Sequence, residues 1–397
     1  GSGLAVWETW DGSSYAVKAR RIDRFGRAGD LLTLDSGPQN IGNPKTTIAF
    51  NGTATVVYAA CDATCVKAVR VPPKGAVAAP VVISADGVGV KDYEVSAATA
   101  PRGLTRAVWV DNNSASVQAA VMRADGTVEA GAAISDTGIT ARNPVVAVSS
   151  IGSFQFAWNR VSPTTSLWTI EVRRIYPGGS VGPVDTIADD ASNLSEPNLA
   201  VSKIGTTAIA WQKEIGAWPQ VAVAQATHLN FMGKSGSIET LSPETTQYYG
   251  NSMVCCGQYS LMPQVGIDDR GTARIAWTRY TGRDNFSLEA VTYNRAGNVS
   301  KLETVDDTHY GPTWLRIATT PAGVSTVLLQ RIIYGGAGRI ESFRWDALGK
   351  RSKDKLLTAH GDRSTEYPIV SLSSGATAAL GIWQKDRDGK IFSARFG

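Results

Sequence analysis

The chain has 397 residues, of which 43% are hydrophobic and 19% are charged, with a formal net charge of +4. A charge so close to neutral does not indicate a nucleic-acid-binding protein. No apolar run approaches the ~18 residues that a membrane-spanning helix needs. The composition therefore predicts a globular protein with no nucleic-acid partner and no membrane insertion.

A short motif recurs about every 50 residues along the whole chain. It begins with a glycine, continues through small or apolar residues and ends with an aromatic residue, as in the sequence GTARIAW that ends at Trp277. Other copies, some of them weaker, end at Trp7, Tyr58, Trp109, Trp158, Trp211, Leu329 and Trp383. A period of this length is typical of a repeat architecture. We interpret the recurring aromatic residue as a wedge between neighbouring repeats.

Each repeat reads as four short strands, A to D, joined by tight turns. In residues 263–305, the segments PQVGI, TARIAWTRY, LEAVTYN and VSKLETV alternate apolar and polar residues between turn sequences. The repeats start near residues 1, 44, 93, 144, 197, 263, 312 and 368, and six of these starts are prolines that open strand A. No stretch shows a convincing 3.6-residue apolar period. The sequence therefore predicts an all-β fold, a β-propeller of four-stranded antiparallel blades that forms a single domain over residues 1–397.

The strand count favours eight blades, with seven as the alternative. Eight B strands and eight C strands are recognisable, but strands A and D occur only seven times each, so the first and last blades are incomplete. At about 54 residues per repeat, eight blades need roughly 430 residues, and the shortfall of about 35 corresponds to one strand D and one strand A. We expect a segment ahead of residue 1 to supply both and to complete the last blade.

The four cysteines form two local pairs, Cys61 with Cys65 and Cys255 with Cys256. Neither pair has a histidine at metal-ligand spacing, and the three histidines are far apart in the sequence. An even number of cysteines in local pairs suits an oxidising compartment. We predict two disulfides, a secreted protein, and neither a metal site nor a cofactor.

The loops between strands B and C and between D and A carry most of the length variation and many aromatic residues. In a meander these loops lie on one face of the blades, and loops on a rigid scaffold usually carry function. Aromatic rings cover the apolar C–H patches of sugars, and neighbouring polar groups pair with sugar hydroxyls. The candidate ligand-binding residues are Trp10, Asp111, Trp168, Trp218, Tyr249, Tyr280 and Tyr310.

The repeat pattern over the whole chain, with Ala- and Gly-rich stretches such as ATAPRGLTRAVW at 98–109, resembles secreted bacterial β-propeller lectins. Within that group it is similar to the lectin propellers of Streptomyces umbrella toxin particles. The resemblance implies a secreted, non-catalytic protein that binds cell-surface glycans and joins a partner subunit in a larger complex. No ligand residue is carried over, because the loops contain no motif of that group.

Two other functions stay open at this point. A protein-interaction scaffold would dock a partner subunit by one face or by the basic stretches 18–27 and 350–355. A glycan-cleaving enzyme would need two carboxylates at a catalytic separation. The candidates in or beside the B–C loops are Glu8, Asp111, Glu214 and Asp284.

Overall fold

The structure is a computed structural model that describes residues 3–23, 25–85, 87–191, 193–215, 221–243, 245–246, 262–282, 285–308, 312–332, 338–358, 369–371, 379–385 and 390–396. Every regular element in these ranges is a β-strand. They contain no helix with the length and hydropathy needed to cross a membrane. The prediction of an all-β protein is confirmed.

These strands form eight antiparallel sheets, numbered here in chain order, in two compact units. The first unit covers residues 1–190 with sheets 1 to 4, and the second covers 191–372 and 376–397 with sheets 5 to 8. In every sheet except sheet 5, strands that are consecutive in sequence pair with each other, as a meander requires.

In the first unit, sheet 1 contains β1 (Gly3–Trp10), β2 (Tyr15–Ile22) and β3 (Ala28–Gly37). Sheet 2 contains β4 (Gly42–Ile48), β5 (Ala54–Ala60), β6 (Cys65–Val71) and β7 (Val81–Val82). Sheet 3 contains β8 (Val90–Thr99), β9 (Thr105–Asp111), β10 (Ser116–Met122) and β11 (Val128–Ala133). Sheet 4 contains β12 (Ala141–Val148), β13 (Phe154–Val161), β14 (Trp168–Ile175) and β15 (Val181–Ala191).

In the second unit, sheet 5 contains β16 (Asn193–Leu194), β17 (Asn198–Val201), β18 (Thr207–Ile215), β19 (Val221–Leu229), β20 (Glu239–Thr240) and β21 (Thr245–Thr246). Sheet 6 contains β22 (Gln264–Ile267), β23 (Ala273–Gly282), β24 (Asn285–Tyr293) and β25 (Glu303–Thr308). Sheet 7 contains β26 (Pro312–Thr319), β27 (Ser325–Ile332), β28 (Gly338–Trp345) and β29 (Lys355–Leu356). Sheet 8 contains β30 (Ile369–Ser371), β31 (Ala379–Lys385) and β32 (Lys390–Phe396).

The predicted four-strand repeat is present in sheets 2, 3, 4, 6 and 7. Sheets 1 and 8 have three described strands each, and in sheet 5 the first and last strands are each split into two short pieces. The single domain, the closed ring and its eight blades stay predictions. We call the strand ends at the B–C and D–A connections the loop side, and the opposite ends the turn side.

Two prolines that were expected to open a strand lie inside one instead. Strand β4 begins before Pro44 and β12 begins before Pro144, and a break in pairing register surrounds each proline. The preceding residues, Asn43 and Asn143, have left-handed backbones, with φ of 55° and 53°. The strand thus bulges around the proline, which has no N–H for the ladder.

In sheets 3, 4 and 6 the recurring tryptophan is buried against the preceding sheet of the same unit, as interpreted from the sequence. Trp109 of sheet 3 has no exposed surface and packs with Val57, Ala59 and Ala68 of sheet 2. In the same way Trp158 packs on sheet 3, and Trp277 packs on the alanine-rich face of sheet 5. A buried Trp side chain of this size contributes roughly 4–5 kcal/mol of hydrophobic free energy as an upper bound.

The packing around Trp109 can be tested by substitution at Gly131, because a Cβ atom at that position would lie 2.5 Å from the Trp109 ring. We expect Gly131→Ala to lower the free energy of unfolding by roughly 1–3 kcal/mol through overpacking. The smaller ring in the double variant Gly131→Ala/Trp109→Phe should recover part of that loss, measured as a double-mutant cycle in urea. The control is Gly178→Ala, where a Cβ would meet nothing within 4 Å. Equal effects of the two alanine substitutions would contradict the tight packing.

A second repeated feature lies on the turn side, three residues before the position of the recurring aromatic. There each cross-strand pair combines one long basic side chain with a shorter partner. The pairs are Leu4–Arg21, Thr55–Arg70, Arg106–Val121, Gln155–Arg174, Ala208–His228, Arg274–Thr292 and Thr326–Arg344. We call the basic member the latch residue.

Several latch residues reach the following sheet of their unit. Arg70 donates to the carbonyl oxygens of Gly103 and Arg123 at 3.3 and 3.0 Å. Other latch residues lie on an aromatic ring of the following sheet. The centroid distances are 5.4 Å for Arg106 and Phe154, 4.0 Å for His228 and Tyr293, and 4.6 Å for Arg274 and Trp345. Part of the basic character of the sequence therefore serves packing between sheets.

The latch residue His228 makes stability depend on pH. Burial lowers the pKa of His228 from 6.5 to about 4, so the folded protein favours the neutral ring. The unfolded chain takes up a proton first as the pH falls, and stability should therefore decline from pH 6.5 to about 4, by roughly 3 kcal/mol. His228→Phe keeps a ring against Tyr293 and should remove this part of the pH dependence. Urea unfolding of both proteins at pH 7 and pH 4 measures it, and identical pH dependences would contradict the assignment.

Candidate functional site

On the loop side of the first unit, two of the predicted aromatic residues lie at strand ends rather than in loops. Trp10 ends β1 and pairs with Tyr15, which starts β2, and their ring centroids are 4.3 Å apart. The side chain of Trp10 is 52% exposed. Pairing continues this far because the four-residue turn after Trp10 is closed by Asp11, whose carboxylate accepts from the backbone N–H groups of Ser13 and Ser14.

Trp168 starts β14 and is half-buried. The guanidinium of Arg142 lies 3.6 Å from the centroid of its ring, so one face of the indole is covered. The neighbouring Asn143 donates from its side-chain amide to the Asn159 side chain at 3.1 Å. An aromatic ring, a guanidinium and two amides therefore meet at the loop ends of β12, β13 and β14.

Asp111 is buried and organises its own hairpin. Its Oδ1 atom accepts from the backbone N–H groups of Gly89 and Asn113, and its Oδ2 atom accepts from the Ser114 hydroxyl at 2.6 Å. Burial alone would raise the pKa of Asp111, but these hydrogen bonds outweigh burial and lower it. The carboxylate is thus held ionised in a structural role, and its selection as a ligand-binding or catalytic residue is not supported by these contacts.

Two carboxylates on the loop side share an arrangement that the sequence did not reveal. The Oε2 atom of Glu8 accepts from the backbone N–H of Asn43 at 2.8 Å, and the Oε2 atom of Glu94 accepts from the backbone N–H of Asn143 at 2.8 Å. Both asparagines precede a proline and have the left-handed backbone described above. Glu8 was a predicted candidate and is exposed, whereas Glu94 was missed because it lies in the register break of β8. The repeated Asn-Pro dipeptide was the available signal.

In the second unit, the predicted candidate Glu214 is buried near the loop end of β18. Its Oε1 atom accepts from the Asn193 side-chain amide at 3.0 Å. This contact joins the split first strand of sheet 5 to β18, alongside the backbone pairing of the same two residues. Glu214 therefore stabilises the sheet.

The remaining predicted residues cannot be assigned a geometry. Trp218, Tyr249, Tyr310, Asp284, Cys255 and Cys256 lie outside the described residues. Tyr280 belongs to β23, of which only the backbone is described at that position. Their proposed roles stay predictions.

Cys61 and Cys65 form a disulfide that closes the hairpin between β5 and β6. Cys61, Asp62 and Ala63 have positive φ values of 57°, 56° and 65°, which non-glycine residues rarely adopt. The turn also contacts its neighbours, because the Asp62 carboxylate accepts from the Asn40 N–H at 2.7 Å and the Ala63 carbonyl accepts from the Val90 N–H at 2.6 Å. The disulfide thus closes a left-handed turn that contacts β8, the strand that carries Glu94.

A different set of carboxylates is structural, because each member forms a salt bridge with an arginine of its own sheet. Opposite the recurring aromatic position, strand C carries Glu171, Glu289 or Glu341, and each pairs with the arginine two residues beyond that position. In sheets 4 and 6 the glutamate also accepts from the indole N–H of Trp158 or Trp277, at 2.9 and 3.0 Å. Arg160 and Arg331 reach an aspartate of the preceding sheet as well, Asp136 and Asp306. We call each such glutamate, together with its arginine and its third partner (an indole N–H or an aspartate), a triad. The triads connect neighbouring strands and, in sheets 4 and 7, also connect to the preceding sheet.

Removing the two partners of Arg160 should have unequal effects. Glu171→Gln leaves the buried guanidinium without its buried counter-ion, and we expect a loss of roughly 3 kcal/mol in the free energy of unfolding. Asp136→Asn removes a carboxylate whose side chain is 79% exposed, so the loss should stay below about 1 kcal/mol. Chemical denaturation of both variants measures the difference. A larger effect for Asp136→Asn would contradict the structural role of Glu171.

Within the described ranges, no three His, Cys, Asp or Glu residues are grouped so that they could hold a metal ion.

No protein-family model and no curated protein matches the sequence. Three solved structures illustrate what the chain is similar to. A Mycobacterium tuberculosis puromycin-hydrolyzing peptidase has 15% identity and a TM-score of 0.45, over 96% of this chain and 58% of that chain. The Hadza microbial sialidase Hz136 has 13% identity and a TM-score of 0.46, over 88% and 74%. The Penicillium chrysogenum α-L-arabinanase has 16% identity and a TM-score of 0.41, over 76% and 92%.

These comparisons contradict the predicted non-catalytic lectin, because the similar structures just named are hydrolases and none of them is a lectin. The resemblance to lectin propellers of toxin particles gains no support from them. The chain spans only 58% of the puromycin-hydrolyzing peptidase. At these identities the likeness concerns the fold alone, so the activity has to be argued from the residues of this chain.

Proposed function

We propose that the chain is a secreted hydrolase that cleaves a glycan, with Glu8 and Glu94 as its two catalytic carboxyl groups. The observation that carries the proposal is their shared geometry: each accepts one backbone N–H from an asparagine that bulges ahead of a proline. A left-handed non-glycine residue costs of order 1 kcal/mol or more, and such strain is concentrated at functional sites.

These two glutamates differ from the structural carboxylates of the same unit. Glu171 is paired with a buried arginine and an indole N–H, and Asp111 receives several hydrogen bonds from its own hairpin. Glu8 and Glu94 instead each accept from the backbone N–H of an asparagine in the following sheet of the unit, Asn43 and Asn143. Acid–base catalysis requires carboxyl groups that exchange protons with the substrate, and Glu8 and Glu94 are proposed for that role.

The surroundings suit a carbohydrate substrate. Trp10 offers an exposed ring next to Glu8 in the same strand, and Trp168 with Arg142 and Asn159 lies beside Asn143, which holds Glu94. Aromatic faces bind the apolar faces of sugars, and amide and guanidinium groups bind hydroxyls. The glycan partner is therefore proposed as a substrate.

In the reaction, one carboxylic acid donates its proton to the glycosidic oxygen while the bond from that oxygen to the anomeric carbon breaks. The other carboxylate either removes a proton from the attacking water or attacks the anomeric carbon itself. In the second case water then hydrolyses the glycosyl ester, and the first residue acts as the base. The anomeric configuration of the product distinguishes these two courses.

The disulfide between Cys61 and Cys65 supports the proposal of secretion, since such bonds persist in oxidising compartments. The sheet pattern supports a β-propeller, and we propose eight blades because each of the eight sheets contains the B and C strands of one repeat.

The test is product release from a panel of polysaccharides by the purified protein, followed by substitution on the best substrate. Glu8→Gln and Glu94→Gln should each lower kcat by at least about 100-fold, because each removes a proton-transfer group and keeps the shape of the side chain. The matched control is Glu129→Gln, an exposed carboxylate in β11 that pairs with Arg123. Its kcat should stay within a factor of two.

Two results would contradict the proposal. One is the absence of product from every polysaccharide under conditions in which the protein remains folded. The other is a substrate whose turnover is unchanged by both glutamine substitutions.

A further inference from the structure

A pocket of about 270 Å³ lies between sheets 1 and 2 on the turn side of the first unit. Its walls are largely apolar, and two arginines line it, Arg21 and Arg27. The apolar lining residues are Leu4, Ile22, Ile48, Ala54, Val71 and Pro73. We propose that this pocket is a binding site for a small aromatic acid, independent of the glycan site on the loop side.

The aromatic part of the ligand is inferred from the other sheet junctions. At three of them, a latch residue lies on an aromatic ring of the following sheet, at the first position of strand B or the facing last position of strand C. The rings are Phe154, Tyr293 and Trp345, which lie at the cross-strand pairs Phe154–Ile175, Ala273–Tyr293 and Ser325–Trp345.

At the junction of sheets 1 and 2 the latch residue Arg21 is present, but the corresponding position of sheet 2 has no aromatic side chain. The corresponding cross-strand pair is Ala54–Val71. The latch residue Arg21 reaches the following sheet and donates to the Pro72 carbonyl. Because Ala54 and Val71 are smaller than the residues with rings, the space beside Arg21 stays open as the pocket. A ligand ring placed there would make the contact that the protein makes with its own side chains elsewhere.

The acidic part of the ligand is inferred from the charges at the pocket. Arg21 and Arg27 line it together with one carboxylate, Asp23. Asp23 already accepts from the backbone N–H groups of Phe25 and Arg27, at 2.8 and 2.9 Å, and so holds the turn between β2 and β3. The Arg27 guanidinium lies over the exposed ring of Phe25, 5.6 Å from its centroid. A carboxylate or sulfonate on the ligand would complement the excess positive charge.

The probe is 8-anilinonaphthalene-1-sulfonate, an aromatic sulfonate whose fluorescence rises in apolar surroundings. We expect saturable binding to the folded protein with one dominant site. Ala54→Phe copies the Phe154 of sheet 4 into the pocket and should weaken binding at least about 10-fold. Arg27→Gln should weaken it several-fold and reduce its dependence on salt. The control is Arg102→Gln, an exposed arginine in the A–B turn of sheet 3, which should leave binding unchanged.

Competition by small molecules separates the two parts of the ligand. Benzoate should displace the probe, while benzyl alcohol, which has the ring without the charge, and acetate, which has the charge without the ring, should do so much less. A folded Ala54→Phe protein that binds the probe as the parent does would overturn the proposal. If that variant does not fold, unchanged binding by Arg27→Gln together with equal competition by benzoate and benzyl alcohol would overturn it. Glycan turnover should be the same with and without benzoate, so failure here is distinct from failure of the hydrolase proposal.

Discussion

The burial of a large side chain against the preceding sheet of the same unit is the constraint on which both units depend. Trp109, Trp158 and Trp277 lie in clusters that combine residues of two sheets, and none of the three has exposed surface. A sheet with one apolar face is not stable alone, and each wedge gives the next sheet a fixed place to pack. The alanines and valines around the rings are as important as the rings, because they leave the space that an indole fills.

The polar groups around the wedge residues also have an arrangement that recurs from sheet to sheet. The indole N–H groups of Trp158 and Trp277 are buried with the ring, and a glutamate on the facing strand accepts from each of them. That glutamate needs a counter-charge in turn, which an arginine at the end of the same sheet supplies. The salt bridges therefore account for Glu171 and Glu289 as structural carboxylates. Glu8 and Glu94 do not belong to these groups, and the proposed function rests on the backbone N–H that each accepts from Asn43 or Asn143.

The repeat made the strands predictable, whereas the strand ends were predicted less well. Pro44 and Pro144 were expected at the first position of a strand, but the chain enters the sheet earlier and bulges around them. Trp10 and Trp168 were expected in loops, but cross-strand pairing extends to both. Sequence patterns locate the centre of a strand through its alternation, while its ends depend on hydrogen bonds to neighbouring segments. Glu94 was missed for the same reason, since it accepts its hydrogen bond from Asn143 at a point where the regular pairing of β8 is interrupted.

The sequence by itself determined the all-β class, the spacing of the sheets and the identity of the wedge residues. Each of these follows from local alternation and a fixed period, which the chain displays without reference to its folded contacts. Only the tertiary structure decided which carboxylates are structural, which arginines latch neighbouring sheets and where a pocket remains open. Those properties depend on residues about 50 positions apart in the chain, such as Arg21 and Pro72 or Glu94 and Asn143, that meet only when successive sheets pack. The role of such a side chain depends on the residues that it contacts in the neighbouring sheet. The sequence alone does not show which residues these are.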